Sequence, residues 1–291
     1  MRKFTFLVIL ICGIIFLSFQ TRVAFANSMQ LNDKQFISYT DSGKGTPLVL
    51  IHAFPTDKTL WSSQEMLSSY FRVITIDLWG FGKSSPVDGK AISMTDYADE
   101  VSQLLCQLHI KKAIIAGESM GGYVALAFLQ KYSDQVSGLI LSDTQSIADS
   151  PEMKAKREAT AVDVLEHGTA QLIYDFIPKA LSPTAPEEKI KFLKNILETQ
   201  TPAAIASALR GMALRDDTSL ILTNTTLPIL IMTGDQDALI SPQQSQNMHA
   251  MAKNSKLITI TNAGHLSSVE QSDAWNQAVI SMFSNTKSCL H

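Results

Sequence analysis

The chain has 291 residues, with 24 lysines and arginines against 27 aspartates and glutamates, and a formal net charge of -3 at pH 7. Surfaces that bind nucleic acid or anionic membranes need clustered Lys and Arg, and the sequence contains no basic stripe. The composition therefore argues against a nucleic-acid partner. The length is typical of one large α/β domain built around a single hydrophobic core.

The chain begins with a segment typical of a secretory signal peptide. A basic start, Met1-Arg2-Lys3, is followed by an apolar run over 4–19 and then by Ala24-Phe25-Ala26. The run is shorter than the about 20 apolar residues of a membrane-spanning helix, and the alanines suit a signal peptidase. We predict that residues 1–26 are removed and that the mature protein is secreted or periplasmic, without stable membrane insertion. The alternative is an uncleaved N-terminal anchor.

The sequence lacks the common motifs for metals and nucleotides. It contains no His-Glu-x-x-His and no paired Cys-x-x-Cys, so we predict no metal site. The triplet Gly82-Lys83-Ser84 does not complete a phosphate-binding loop, because the position five residues before the glycine is Asp77. We also predict no cofactor. After processing, we expect Cys106 to be a small buried residue that forms no disulfide with Cys289.

Buried apolar runs alternate with helical patterns along most of the chain. The predicted strands cover residues 35–40, 47–51, 73–76, 113–116, 136–141, 228–232 and 257–260. The predicted helices cover 60–70 and 94–108, end near 132 and near 252, and close the chain at 269–283. Strand, helix and strand in succession indicate a mostly parallel central sheet flanked by helices. The turn at 41–45 predicts a hairpin between the first two strands.

The strand pattern stops between residue 145 and about residue 224. This segment is rich in Lys, Glu, Ala and Leu and is broken by several prolines. We predict that 145–224 is a helical cap inserted into an α/β core, which consists of residues 27–144 and 225–291.

Ser119 lies at the tip of a predicted strand-to-helix turn. The strand 113–116 runs into Gly117-Glu118-Ser119-Met120-Gly121-Gly122, and a helical pattern follows. Glycines two residues before and after Ser119 remove Cβ atoms that would collide where strand and helix nearly touch, and the turn strains the serine. The Met120 N–H then faces the same space as the Ser119 Oγ, at the positive end of a helix. We predict Ser119 to be a nucleophile and the Met120 N–H to be an oxyanion donor.

A serine hydroxyl needs a base to accept its proton, and six histidines are candidates. Four lie in helical patterns, at a helix end or in the polar tail: His109, His167, His249 and His291. The other two, His52 and His265, follow the carboxyl ends of strands, where ligands bind in open α/β sheets. His265 comes last in the order serine, acid, histidine, so we predict it to be the base. We interpret His52 as a histidine that braces its loop.

The carboxylate that orients the base has several candidates at strand ends. Asp77 precedes a Gly80-x-Gly82 turn, where a carboxylate most often binds backbone N–H groups. Asp235 directly follows a glycine and is well placed to brace its turn. Asp237 lies further into the same loop, so we predict it to be the acid. Asp143, which ends the preceding strand, is the alternative.

These motifs together resemble the α/β-hydrolase superfamily over essentially the whole mature chain. The resemblance rests on the Ser119 elbow and on His52-Ala53-Phe54-Pro55, Gly234-x-x-Asp237 and Ala263-Gly264-His265. The elbow, the cap and the stretch 208–215 are similar to the small esterases and enol-lactone hydrolases, a group that also holds cofactor-free haloperoxidases or perhydrolases.

The resemblance implies roles for five residues. Ser119 would be the nucleophile, His265 the base and Asp237 the acid, with the backbone N–H groups of Phe54 and Met120 forming the oxyanion hole. The implied protein is an exported, cofactor-free serine hydrolase that cleaves a small carboxylic ester or lactone through an acyl-enzyme. One alternative is a perhydrolase or haloperoxidase with the same triad. The other is a ligand-binding protein on a hydrolase fold.

Overall fold

The computed structural model describes residues 26–31 and 35–284. The predicted signal peptide lies outside these residues except for Ala26, and so do Cys289 and His291. Among the helices of the described residues, none combines the length and apolarity that a membrane crossing requires.

Eight strands of the described chain form one sheet. They are β1 (Ala26–Gln30), β2 (Phe36–Gly43), β3 (Pro47–Ile51), β4 (Arg72–Asp77), β5 (Ala113–Glu118), β6 (Val136–Ser142), β7 (Ile229–Gly234) and β8 (Ser255–Ile260). Their order across the sheet is β1-β2-β4-β3-β5-β6-β7-β8. β2 is antiparallel to β1 and β4, and the other neighbouring pairs are parallel. The predicted, mostly parallel sheet is confirmed.

The first strands depart from the prediction. The predicted hairpin between 35–40 and 47–51 is wrong, because β2 pairs with β1 and β4 whereas β3 pairs with β4 and β5. β2 also continues through the predicted turn as far as Gly43. β1 has no counterpart among the predicted strands. Asn27, Ser28 and Gln30 are exposed at this sheet edge, so no buried apolar alternation marks the strand.

The helices form two groups: one packs against the sheet, and the other lies between β6 and β7 in the chain. Those packed against the sheet are a 3₁₀ helix (Lys58–Ser69), α1 (Met94–Gln107), α2 (Met120–Lys131) with a short 3₁₀ turn (Ser133–Gln135), α8 (Pro242–Met251), α9 (Ser267–Glu270) and α10 (Ser272–Phe283). Those between β6 and β7 are α3 (Pro151–His167), α4 (Ala170–Ala180), α5 (Glu187–Leu197), α6 (Pro202–Ala213) and α7 (Ser219–Asn224). The predicted closing helix is therefore divided, with a break at Gln271.

The hydrophobic core has two layers, one on each face of the sheet. β3 shows the cause, because successive side chains of a strand point to opposite faces. Leu48 and Leu50 belong to one apolar cluster, Val49 and Ile51 belong to the other, and all four are fully buried. Burial of each such side chain contributes roughly 1.5–3 kcal/mol of transfer free energy. The continuous apolar run in the sequence is thus explained by burial on both faces.

The helices between β6 and β7 lie within the segment 145–224 and contact loops at the carboxyl ends of the strands. α3 packs along α6, and α4 packs against α5. Gln200, which follows α5, accepts a hydrogen bond from the Gly82 N–H (3.2 Å) and donates one to the Asp57 Oδ2 (3.0 Å). The Leu266 N–H donates to the Ala180 carbonyl at the end of α4 (3.0 Å). The segment is therefore anchored to the loops after β3, β4 and β8.

Cys106 is exposed, so its predicted burial is wrong. It lies on α1, where Val101, Leu104 and Leu105 are fully buried. At 3.6 residues per turn, the residue after Leu105 begins the polar face of this helix.

Candidate active site

The turn between β5 and α2 has the predicted strained geometry. Ser119 has φ 54° and ψ −115°, in a region that L residues rarely occupy. A Cβ on Gly117 would lie 2.0 Å from the Gly121 carbonyl oxygen, and a Cβ on Gly121 would lie 2.2 Å from the Ile51 carbonyl oxygen. Only glycine fits at both positions. The turn is held by the Ser119 N–H, which donates to the Ser142 carbonyl of β6 (2.9 Å).

The structure brings the three predicted triad side chains into one hydrogen-bonded chain. The His265 Nε2 lies 2.7 Å from the Ser119 Oγ, and the His265 Nδ1 lies 2.8 Å from the Asp237 Oδ2. All three side chains are buried. The other carboxylate oxygen of Asp237 accepts from the N–H groups of Leu239 (2.8 Å) and Ile240 (2.9 Å). The carboxylate is therefore fixed with Oδ2 directed at the imidazole.

The environment of His265 favours its protonated form. Burial acts to lower the pKa of the imidazole, but the charge and hydrogen bond of Asp237 and the charge of Asp143 outweigh it. The pKa of His265 consequently lies above its ordinary value. A base with such a pKa can hold the proton that it removes from a hydroxyl.

The two predicted oxyanion donors come from adjacent parts of the fold. The Met120 N–H belongs to the first turn of α2, whose N–H groups have no acceptor within the helix. Phe54 lies in the loop that follows β3, and the close approach of Gly121 to Ile51 packs the first turn of α2 against this loop. The Phe54 ring packs edge-on against Phe176 of α4, with 6.5 Å between ring centroids. The segment 145–224 therefore directly contacts the loop that carries the predicted oxyanion donor Phe54.

The remaining strand-end candidates have bracing contacts, as predicted. The buried His52 accepts a hydrogen bond at Nε2 from the Leu78 N–H (3.1 Å), and burial lowers its pKa. Asp77 accepts from the N–H groups of Lys58 (2.8 Å) and Lys83 (3.0 Å). Asp235 accepts from the Ala263 N–H (3.3 Å). These contacts hold the loops that carry the site.

Asp143 is buried near the predicted triad, but its carboxylate forms hydrogen bonds with other groups. Its Oδ1 accepts from the Gly234 N–H (2.7 Å), and its Oδ2 accepts from the Ser267 hydroxyl. The carboxylate that contacts His265 is that of Asp237. The geometry thus favours Asp237 over the alternative acid.

Sequence reasoning missed Glu118 and Glu270. Glu270 accepts from the Gly264 N–H (2.6 Å) and from the Ser182 hydroxyl (2.6 Å), so it joins the His265 loop to the segment 145–224. Glu118 is fully buried and binds Ser268. A carboxylate that ends an otherwise apolar strand was a usable signal for Glu118, because buried carboxyl groups need polar partners. No local pattern marks Glu270.

A serine on a strained strand-to-helix turn, with an imidazole and a carboxylate in line at the carboxyl edge of a mostly parallel sheet, is the arrangement of the α/β hydrolases. The family model described as serine aminopeptidase, S33 matches residues 62–272. The chain belongs to this family of the α/β-hydrolase superfamily, and it is a hydrolase.

Several known proteins are similar to this chain over most of their length. A thermophilic esterase from Thermogutta terrifontis is 33% identical, with a TM-score of 0.85 over 89% of this chain and 97% of the esterase. The pimeloyl-(acyl-carrier protein) methyl ester esterase of Vibrio cholerae is 26% identical over 82% of this chain and 94% of the relative. The enol-lactonase from Burkholderia xenovorans LB400 is 22% identical, with a TM-score of 0.78 over 86% of this chain and 97% of the lactonase. This last likeness shows the fold alone.

Proposed function

We propose that the protein is an exported serine hydrolase that cleaves a small carboxylic ester or lactone through an acyl-enzyme. The observation that carries the proposal is the continuous chain from the Ser119 Oγ through His265 to Asp237. The names of the Thermogutta and Vibrio relatives, both esterases, support ester bonds as the target.

The geometry supports a two-step reaction. His265 Nε2 accepts the Ser119 proton while Oγ bonds to the carbonyl carbon, and the N–H groups of Phe54 and Met120 stabilise the resulting oxyanion. The intermediate collapses as the carbon–oxygen bond to the alcohol breaks and His265 protonates the leaving oxygen. Water then attacks the acyl-Ser119 with His265 as base, which releases the carboxylic acid and restores the serine. Asp237 holds the imidazole and stabilises its positive charge throughout.

A panel of substrates tests this function. We expect purified protein to hydrolyse short acyl esters or small lactones without added metal or cofactor. The same preparation is incubated with acetate and hydrogen peroxide, and peracid is measured. Peracid formation that rivals ester hydrolysis would assign the site to a perhydrolase. Failure to hydrolyse any ester or lactone, together with no labelling by a fluorophosphonate, would favour a ligand-binding protein.

We propose that segment 145–224 is a cap that sets substrate selectivity. Phe176→Ala removes the ring that packs on Phe54, so we expect rates to change unequally across esters of graded acyl length, by about tenfold between the extremes. Tyr174→Ala is the matched control, because Tyr174 lies on the same helix but is 76% exposed. An equal loss of rate for every ester with Phe176→Ala would count against a selectivity role.

We propose that the protein is exported and that its mature form begins at Asn27. The sequence of residues 1–26 supports this proposal, and β1 keeps Asn27–Gln30 after cleavage. Intact-mass measurement of protein from the periplasm or medium of the native cell is expected to show loss of residues 1–26. Full-length protein that fractionates with membranes would instead indicate an anchor.

A further inference from the structure

Two buried carboxyl groups lie behind the triad and have no part in the proposed reaction. Glu118 ends β5, Asp143 follows the neighbouring parallel strand β6, and both are fully buried. Glu118 is paired in register with Ser142, the residue before Asp143, and the two carboxyl groups bind the consecutive residues Ser267 and Ser268, so they lie side by side. Two neighbouring buried carboxyl groups cannot both be ionised at low cost, because each charge disfavours the other, so the pair needs one proton.

Each of these carboxyl groups holds one of the two serines at the start of α9, the helix that follows His265. Asp143 Oδ2 accepts from the Ser267 N–H (3.3 Å) and from its hydroxyl. Glu118 accepts from the Ser268 N–H (3.2 Å) and from its hydroxyl (2.6 Å). Ser267 is two residues from His265, so these hydrogen bonds restrict the backbone next to His265.

The hydrogen-bond donors indicate which carboxyl group is charged. Among the described residues, four groups donate to Asp143: the Gly234 N–H, the Ser142 hydroxyl (2.9 Å), and the N–H and hydroxyl of Ser267. The Ser142 hydroxyl in turn accepts from the Trp275 Nε1–H (3.0 Å), which leaves its own proton for Asp143. In the same part of the chain, Glu118 accepts from two donors, the N–H and the hydroxyl of Ser268. Donors stabilise the charged form, so the charge belongs on Asp143 and the proton on Glu118.

The charge on Asp143 acts on His265. The titratable groups of the described chain that face Asp143 are Glu118 on β5, Asp237 after β7 and His265 after β8. Burial and the Asp237 charge raise the pKa of Asp143 to about 6, against the opposing effects of His265 and the donors. Burial and the Asp143 charge raise the pKa of Glu118 well above its usual value. The pKa of Asp143 thus permits ionisation above about pH 6, whereas the raised pKa of Glu118 favours its neutral form.

We propose that Asp143 is a positioning residue for the base, with Glu118 as its proton-bearing partner. Together they fix the start of α9 and place a second negative charge behind the imidazole. The proposal rests on the assignment of His265 as the base of the proposed hydrolase. It assigns the negative charge to Asp143 and the proton to Glu118, so substitutions of the two residues should have different effects on His265.

Two isosteric variants separate a charge from a structural contact. Asp143→Asn removes the negative charge, so the pKa of His265 falls and the acid limb of the kcat/KM profile moves to lower pH, by about half a unit or more. Glu118→Gln replaces one neutral group by another that can still donate to Asp143, so the limb stays in place. Thermal unfolding of both variants is the control for the fold. If Asp143→Asn does not fold, Ser267→Ala is used, which removes one donor and should move the limb the same way by less.

NMR titration of the His265 imidazole in the same full-length variants gives a readout that does not depend on turnover. A lowered pKa of His265 in Asp143→Asn but not in Glu118→Gln supports the proposal even if no substrate is found, in which case only the proposed function fails. Equal shifts in both variants, a shift in Glu118→Gln alone, or no shift in Asp143→Asn would overturn it.

Discussion

Ser119→Ala is expected to lower kcat by on the order of 10⁶-fold, because the acyl-enzyme cannot form without the hydroxyl. The protein should remain folded, because alanine has the same Cβ as serine and can adopt the backbone conformation of Ser119 at a similar cost. Gly117 and Gly121, which allow the turn, are unchanged. The measurement is kcat on one fast ester, together with thermal unfolding and labelling by a fluorophosphonate, which should also be lost.

The residual activity of Ser119→Ala decides whether Ser119 is the nucleophile. Substrate positioning and the oxyanion N–H groups alone leave about 10³–10⁴-fold catalysis over water in known serine hydrolases. If Ser119→Ala kept more than about a thousandth of the original rate, the nucleophile would have to be sought elsewhere. Repeating the assay with protein from an independent expression host excludes a contaminating esterase.

Asp237→Asn is expected to lower kcat by about 10⁴-fold. The N–H groups of Leu239 and Ile240 will bind the amide oxygen, so the amide nitrogen will face the His265 Nδ1. The imidazole then has to accept at Nδ1 and carry its proton on Nε2, where it cannot remove the Ser119 proton. The amide also cannot stabilise the imidazolium. kcat on the same fast ester measures the effect.

Asp235→Asn is the matched control, because Asp235 lies in the same loop and its carboxylate accepts a hydrogen bond from the Ala263 N–H and not from His265. We expect a loss of roughly fivefold at most, the effect of one hydrogen bond worth about 1 kcal/mol. Asp143→Asn should also cost far less than Asp237→Asn at the pH optimum. A larger loss at Asp143 than at Asp237 would move the acid to the end of β6. All variants are compared only after equal thermal stability is shown.

Local patterns were sufficient for the elements that depend on nearby residues. The run from Pro47 to Ile51 is apolar at nearly every position, which requires burial on both faces and hence a central strand. The turn at Ser119 can be recognised from the six residues 117–122 alone. Gly117 and Gly121 are needed there because a Cβ at either position would clash with the backbone. His265 and Asp237 were predicted from their places after strands, since the carboxyl ends of parallel strands meet at one edge of a sheet.

Only the tertiary structure decided which strands pair and which buried groups meet. β2 pairs with β4 because the packing of the whole sheet determines which strands are neighbours. The residues of the turn at 41–45 do not determine this pairing. Glu118 meets Ser268 across 150 residues, and Ser142 meets Trp275 across 133 residues. Contacts between residues so far apart in the chain produce no local spacing pattern from which they could be predicted. The burial that makes each of these polar contacts necessary exists only once β5, β6 and the loop after β8 are assembled.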